Sequence, residues 1–464
     1  MKRLLTVLTY TIMTAIVINA QTADLETLDA IELPIVQIDT DGGEEPTCEY
    51  VSPPEGAFGE SITNATKVPG RVTVRKHGTI IYDSGDYVKS SSGMTVKIRG
   101  NTSAYGNKKP FKIKLQKKGD MLARGDSKYN DKNWVLLNSA YTLNSMAGLA
   151  ISSLMKTQWV PQYTFVNLVF NGNYRGIYIL IEAVERNEKC RINVDENEGY
   201  IVELDPYWWK EDISFDTPFT DITKKYTFKY PDADDITPEQ VETIQTCISR
   251  MEESIADGTY PDHINVESFA RWLLAHDILG TWDSAGSNIF MTRKDAASKL
   301  EMGNLWDFDT ITQMEDDWAR VHTDYFYYSQ LFNSSNREFV KTYKALWKEV
   351  KTSVFDNIDD ILADFATSEE AAAIDRSYIL DNQRWQWENT PVETQINSLR
   401  QWFASRKQWL DNAITAIDDS EAGISEINNS DNAAPYVWYD ITGRRVDSEY
   451  KGLVISNGKK LLRR

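Results

Sequence analysis

Cysteine and histidine are scarce in this chain. Cys48, Cys190 and Cys247 are its only thiols, and His77, His263, His276 and His322 its only imidazoles. Three scattered cysteines build neither a disulfide framework nor a zinc site, and leave room for at most one bridge between an unspecified pair. No two histidines stand in H-x-x-x-H spacing, which argues against a histidine-rich metal centre. The phosphate-binding fingerprints G-x-x-x-x-G-K-S/T and G-x-G-x-x-G before a helix are missing as well, so P-loop and Rossmann sites are disfavoured. Positive charge is in deficit: 50 basic residues face 69 acidic ones, a formal charge of −19. A nucleic-acid groove or an anionic membrane surface rewards Lys and Arg, so neither fits as the main partner.

Long apolar runs are confined to the N-terminus. Lys2 and Arg3 precede an apolar stretch from Leu4 to Ile18, and Ala20 offers a small residue for cleavage. This reads as an export signal over residues 1–20, with no transmembrane span elsewhere and a secreted or cell-surface location. Residues 21–47 are acidic and contain Gly and Pro, the composition of a tether. At 464 residues and 41% hydrophobic content, the remainder can bury a large core.

Periodicity divides that remainder in two. From Val72 to Leu115 the pattern is strand-like, with Phe111, Ile113 and Leu115 on one face and Lys112 and Lys114 on the other. A strand at W-V-L-L-N leads into a small-residue helix ending near Lys156. Phe165–Phe170 and Gly176–Glu182 flank Asn171-Gly172-Asn173, a strong hairpin cue. Gly199–Leu204 is another strand. Pro238–Ile255, Val266–Leu279 and most of 336–417 have helical spacing. The expected fold class is therefore α+β and two-lobed, strand-rich first and helix-rich second, with a cleft between the halves. One main domain covers 48–417, its strand-rich lead-in at 48–90. A linker follows over 418–434, and residues 435–464 form a small β tail.

The chemistry concentrates at the join. Asp283 and Asn288 stand in D-x-x-x-x-N spacing, and Asp307 and Asp309 follow in L-W-D-F-D. Phosphoryl transfer needs a carboxylate to orient the accepting hydroxyl, an amide reaching a metal, and a later carboxylate on Mg²⁺. Asp283 takes the first role and Asn288, Asp307 and Asp309 the metal roles. On a strand, Asp307 and Asp309 would face one way and Phe308 the other. Plainer readings are a polar turn for Asp283, a turn-forming amide for Asn288 and a surface pair for the two later carboxylates. Asp277 reads as a helix-face charge. Arg99-Gly100-Asn101-Thr102-Ser103 and Lys108-Lys109-Pro110-Phe111-Lys112 supply small, hydroxylated and cationic residues suited to phosphate, with Arg99, Ser103, Lys109 and Lys112 as contacts. Glu182 could pair with one of the lysines. Tyr207-Trp208-Trp209 could form an exposed stacking surface.

In this order the segments resemble the CotH kinase family of secreted atypical protein kinases, over roughly 90–415. The resemblance rests on R-G-N-T-S…K-K-P-F-K-I-K-L, N-W-V-L-L-N, N-G-N-Y-R-G-I-Y-I-L-I-E-A-V-E-R-N, G-Y-I-V-E-L-D, the 283–309 region and L-R-Q-W-F-A-S-R-K-Q-W-L. It implies an atypical protein-kinase-like fold and ATP- and Mg²⁺-dependent (or Mn²⁺-dependent) phosphorylation of Ser or Thr on exported proteins. Carried over, Asp283 is the catalytic carboxylate, Asn288 and Asp307 are metal-associated, and Lys109, or alternatively Lys112, contacts phosphate. One departure stands out: where members carry D-x-S-x-x-R after the W-V-L-L strand, the charged positions here are Leu143 and Gly148. The tail, Y-D-I-T-G-R-R-V…K-G-L-V-I…N-G-K-K, resembles the C-terminal sorting modules of exported Bacteroidetes proteins and implies contact with export machinery. Rival readings are an inactive binding or adhesion protein on the same scaffold, and a glycoside hydrolase drawing two carboxylates from Asp283, Asp307 and Asp309.

Overall fold

The computed structural model describes residues 24–58, 62–140, 142–281, 287–312 and 326–420, together with strand segments between 425 and 463. The export signal read at 1–20 lies outside these residues.

Helix α1 (Leu25–Asp29) precedes strand β1 (Ile35–Thr40), the hairpin β2 (Cys48–Val51) and β3 (Ile62–Ala65), then β4 (Val68–Lys76), β5 (Thr79–Asp83), β6 (Met94–Ile98), β7 (Phe111–Gly119) and β8 (Asp131–Leu137). Helix α2 (Asn144–Leu154) leads to β9 (Tyr163–Phe170) and β10 (Asn173–Glu182). The main sheet runs β1-β9-β10-β8-β7-β6-β4-β5, and β1 also pairs with β4, closing a barrel that leaves β5 on its rim. Alternation explains the closure. In β10, Tyr178 and Leu180 fill the barrel, whereas Ile177, Ile179 and Ile181 face outward into a second core. The β9–β10 turn has positive φ at Asn171 (48°) and Gly172 (72°), the conformation that the N-G pair favours.

Within the segment 21–47, read as a tether, the described residues from 24 onward behave otherwise. Ile35, Val36 and Ile38 are buried, and β1 is the strand that joins the barrel's two ends. Asp29 of α1 adds an ion pair with Arg75 at 2.8 Å. The acidic residues that suggested a linker flank a short apolar strand that the barrel cannot close without.

The second half begins with a five-stranded sheet, β12-β13-β11-β14-β15, formed by β11 (Tyr200–Asp205), β12 (Ser214–Phe215), β13 (Lys225–Tyr230), β14 (Ile289–Arg293) and β15 (Glu301–Met302). The helices are α3 (Pro238–Asp257), α4 (Val266–Leu279), α5 (Tyr328–Asn333), α6 (Glu338–Ala366), α7 (Glu369–Trp385) and α8 (Val392–Thr415); α4 packs on β15, α6 and α8 on α4 and on each other, and α7 on β10 of the barrel. Thr237 and Gln240 form a capping box at the start of α3. Asn265 caps α4, which ends at Gly280 in the left-handed region, one residue before Thr281. A single core joins the barrel's outer face (Val135, Phe165, Ile179), α2 (Ile151), β11 (Val202) and α4 (Trp272, Leu273). The fold is thus mixed α+β, with a strand-rich first half built as a barrel and a helical second half.

Asp277 is not a solvated helix charge. It is fully buried, and its Oδ2 accepts a hydrogen bond from Tyr343 at 2.6 Å. All three cysteines are free. No helix among the described residues is long and apolar enough to cross a membrane. Among the described residues, the C-terminal segment contributes the short strands β16 (Ser425–Glu426), β17 (Trp438–Asp440), β18 (Arg445–Val446), β19 (Gly452–Ser456) and β20 (Lys459–Arg463).

Candidate active site

A cleft of about 440 Å³ opens between the barrel and the second sheet. Its barrel wall is the loop after β6, from Arg99 to Ser103, and its opposite wall combines the end of β11, Ser287-Asn288 and Trp306–Asp309. Five expected site residues therefore line one cavity: Arg99, Ser103, Asn288, Asp307 and Asp309.

The barrel loop is tightly braced. Gly100 has φ of +89°, and a Cβ there would stand 2.2 Å from Ser103 Oγ, so only glycine lets the chain fold back over its own hydroxyl. Arg99 N donates to Pro110 O at 3.1 Å, Asn138 Nδ2 to Lys108 O at 2.6 Å, and Tyr178 OH to Lys109 O at 2.9 Å. Arg99 is the cation of this wall. Burial pulls its pKa below the ordinary arginine range, while Asp307, Asp309 and Glu203 favour its charged form. A guanidinium remains protonated under that pull.

The two lysines differ. Lys109 does not line the cleft; its Nζ donates to Ala104 O at 2.7 Å and ties the loop together. Lys112 shares the outer barrel face with Ile181 through Val135, sits beside Lys97 across the β6–β7 pair and interacts electrostatically with Glu185, Lys229 and Arg99; burial lowers its pKa to about 8. Glu182 pairs with neither. It is buried at the end of β10, accepts from Arg124 Nη2 at 2.9 Å and from Gln162 N at 3.0 Å, and faces away from the cleft. A strand residue points to the side its parity dictates: Ile181 lines the cleft, so Glu182 cannot. Glu203, which lines the cleft, pairs through Oε2 with Lys229 Nζ at 2.7 Å.

Asp307 and Asp309 lie in a loop beyond β15 rather than on a strand. Asp307 adopts φ of +68°, which turns the chain while keeping both carboxylates open to the cleft and Phe308 buried. Asp309 N lies 3.4 Å from Asp307 Oδ1. Surrounding protein desolvates the Asp307 carboxyl and raises its pKa, opposed by the Asp309 amide and Arg99. Asn288, also at positive φ (60°), donates its amide nitrogen to Ser287 Oγ at 3.0 Å, which orients the side chain. Asp283 lies outside the described residues. Among those residues, no group of three or more His, Cys, Asp or Glu is poised to hold a metal.

Helix α2 braces the acidic loop. Asn144 Nδ2 donates to Asp309 O at 3.2 Å and Ile311 O at 3.3 Å. A Cβ on Gly148 would sit 2.1 Å from Phe308 Cδ1, so the phenyl ring occupies the space a side chain at 148 would need. Leu143 is fully buried. The two departures from D-x-S-x-x-R are thus both absorbed as apolar packing.

Two carboxylates escaped sequence reasoning. Glu203 and Asp205, in the strand run Y-I-V-E-L-D, both line the cleft. Asp205 is buried; desolvation and the neighbouring Glu203 push its pKa up to about 7, while Tyr207 N donates to its Oδ1 at 2.7 Å. The available signal was two acids alternating in an otherwise apolar strand, which burial on both faces makes costly unless the acids have a task.

The cleft thus sets a glycine-turned cationic loop on one side against a carboxylate-bearing loop on the other. A family model described as CotH kinase protein matches residues 96–410. The chain belongs to the CotH kinase family. No curated protein matches the sequence.

Proposed function

We propose that the protein is an exported, two-lobed atypical protein kinase that transfers the γ-phosphoryl group of ATP to Ser or Thr hydroxyls of secreted or surface proteins. The observation that carries this reading is the meeting of Arg99 and Ser103 with Asn288, Asp307 and Asp309 in one cleft, from segments some two hundred residues apart. Family membership supports it.

The residues present suit a divalent metal such as Mg²⁺ or Mn²⁺ that keeps water and phosphate ligands. Two carboxylates and an amide border the same space, and the Gly100 turn leaves a backbone cradle that a side chain would fill. Asp307, Asn288 and Asp309 would hold the metal, which when bound neutralises charge developing on the transferred group. Arg99 and the loop amides would position the phosphates, and Asp283 would orient the accepting hydroxyl. Transfer through a loose transition state asks mainly for such placement and charge compensation. A second groove of about 730 Å³, lined by Trp387, Asn389 and Gln395, also reaches Asp309 and offers an approach for an acceptor segment. The C-terminal strands would engage export machinery.

The test incubates purified protein with labelled ATP, Mg²⁺ or Mn²⁺, and generic Ser/Thr acceptors. Label transfer and a nucleotide-dependent rise in Tm are expected. Absence of both would overturn the reading in favour of a binding protein on this scaffold.

A further inference from the structure

The β2–β3 hairpin and its connecting loop lie before the family-matched segment, which begins at residue 96. The hairpin nonetheless touches both walls of the cleft. On the barrel side, Tyr50 stacks on Tyr105 with ring centroids 4.9 Å apart. Across the cleft, Phe58 meets Tyr207 edge to face at 5.9 Å, and a Cβ on Gly56 would stand 3.4 Å from Ile222 Cγ2. Lys210 Nζ, three residues beyond Tyr207, reaches back to Asn101 Oδ1 at 3.1 Å. Phe58 and Tyr207 line the cleft that holds Arg99 and Asp307, and neither lines the groove reached from Asp309. Phe58 is 51% exposed. An aromatic ring held half open at the mouth of a polar, charged cavity is unused by the phosphate chemistry.

We propose that Phe58, backed by Tyr207, is the stacking wall for the purine base of the nucleotide, so that the hairpin supplies base affinity while the family-matched residues handle the phosphates. This rests on the reading of the cleft as a nucleotide site. Aromatic faces bind bases through area and polarisability without a hydrogen-bond code, so truncating one such contact weakens binding about tenfold. The edge-to-face contact with Tyr207 fixes the Phe58 ring before the base arrives, which limits the ordering cost of binding.

Calorimetric titration of the full chain with Mg²⁺, using ATP in one arm and inorganic tripolyphosphate in the other, separates base from phosphate. Phe58→Ala is expected to weaken ATP about tenfold and leave tripolyphosphate unchanged, while Phe58→Trp keeps ATP affinity. ATP binding unaffected by Phe58→Ala overturns the stacking role and leaves the nucleotide site intact. Equal weakening of both ligands also overturns it, because the loop then only shapes the cleft. A protein that binds neither ATP nor tripolyphosphate removes the nucleotide reading itself.

Discussion

The two walls of the cleft are held by different physics. The barrel wall is fixed by polar bonds to the main chain and by one buried ion pair, Lys108 with Asp381 of α7 at 2.7 Å, both ends excluded from water. Asp381 further accepts from Ile177 N, Trp387 Nε1 and Asn389 Nδ2 at 3.0–3.1 Å. The acidic wall is held chiefly by apolar contact: Leu305, Trp306 and Phe308 are buried, and Phe308 is seated on the bare backbone of Gly148. Carboxylates kept near one another need a wall that resists their repulsion without neutralising them, and packing does that where further ion pairs would not. The cationic loop has the opposite need, a shape set by hydrogen bonds whose amides remain directed at a ligand.

The comparison breaks most sharply at the carboxylates. Asp307→Asn, and Asp283→Asn alongside it, should abolish label transfer, a loss of at least about a thousandfold. The fold should survive in Asp307→Asn, since a neutral amide replaces an acid whose ionised form the site already disfavours. Turnover near the unmodified rate in either variant would remove that residue from its role. Next in size is the barrel wall. Lys108→Met leaves the Asp381 carboxylate buried without its cation and should cost about 3–5 kcal/mol in chemical denaturation. A loss below about 1 kcal/mol would mean that the three neutral donors to Asp381 suffice.

The same contrast explains what could be read in advance. β7, the β9–β10 hairpin and α4 emerged from periodicity and turn chemistry because one face of each is buried or the turn demands N-G. Arg99, Ser103, Asn288, Asp307 and Asp309 were legible as motifs, and the cleft unites them. Partners fixed by tertiary geometry were not legible. Lys109 and Glu182 looked equivalent to Arg99 in a linear string, but the folded-back loop and strand parity send them elsewhere, whereas Lys112 keeps the outer barrel face that Ile181 shares. Strand β1 was hidden for a related reason: closing a barrel is a long-range event, and six residues among acids carry little local signal. Lys229 and Glu203 meet only because β11 and β13 pair.

Gly148→Ala tests the apolar side of the comparison. The added methyl overlaps the Phe308 ring, so overpacking should cost about 1–3 kcal/mol and shift the loop that carries both carboxylates. If Phe308 positions Asp307 and Asp309, activity should fall about 10- to 100-fold, with the Mg²⁺ concentration for half-maximal rate rising more than the KM for ATP. Phe308→Leu should recover part of the loss in the double variant. Equal loss of stability with unchanged metal dependence would reduce Gly148 to a packing position.

The smallest effect belongs to Asp205. Its carboxyl has a folded pKa of about 7 against an ordinary 3.8, so the folded chain holds a proton that the unfolded chain has released between those values. Protons bound in excess by the folded state make stability fall as pH rises through that window, and the contribution is gone above about pH 7. Glu185, with a pKa raised to about 7 by burial, slopes the same way and sets a background that Asp205 variants leave in place. Asp205→Asn cannot titrate, so Tm measured from pH 5 to pH 8 should decline less steeply than in the unmodified protein. An unchanged slope would show that Asp205 is already ionised across this range, held so by Lys229 through the shared Glu203 cluster.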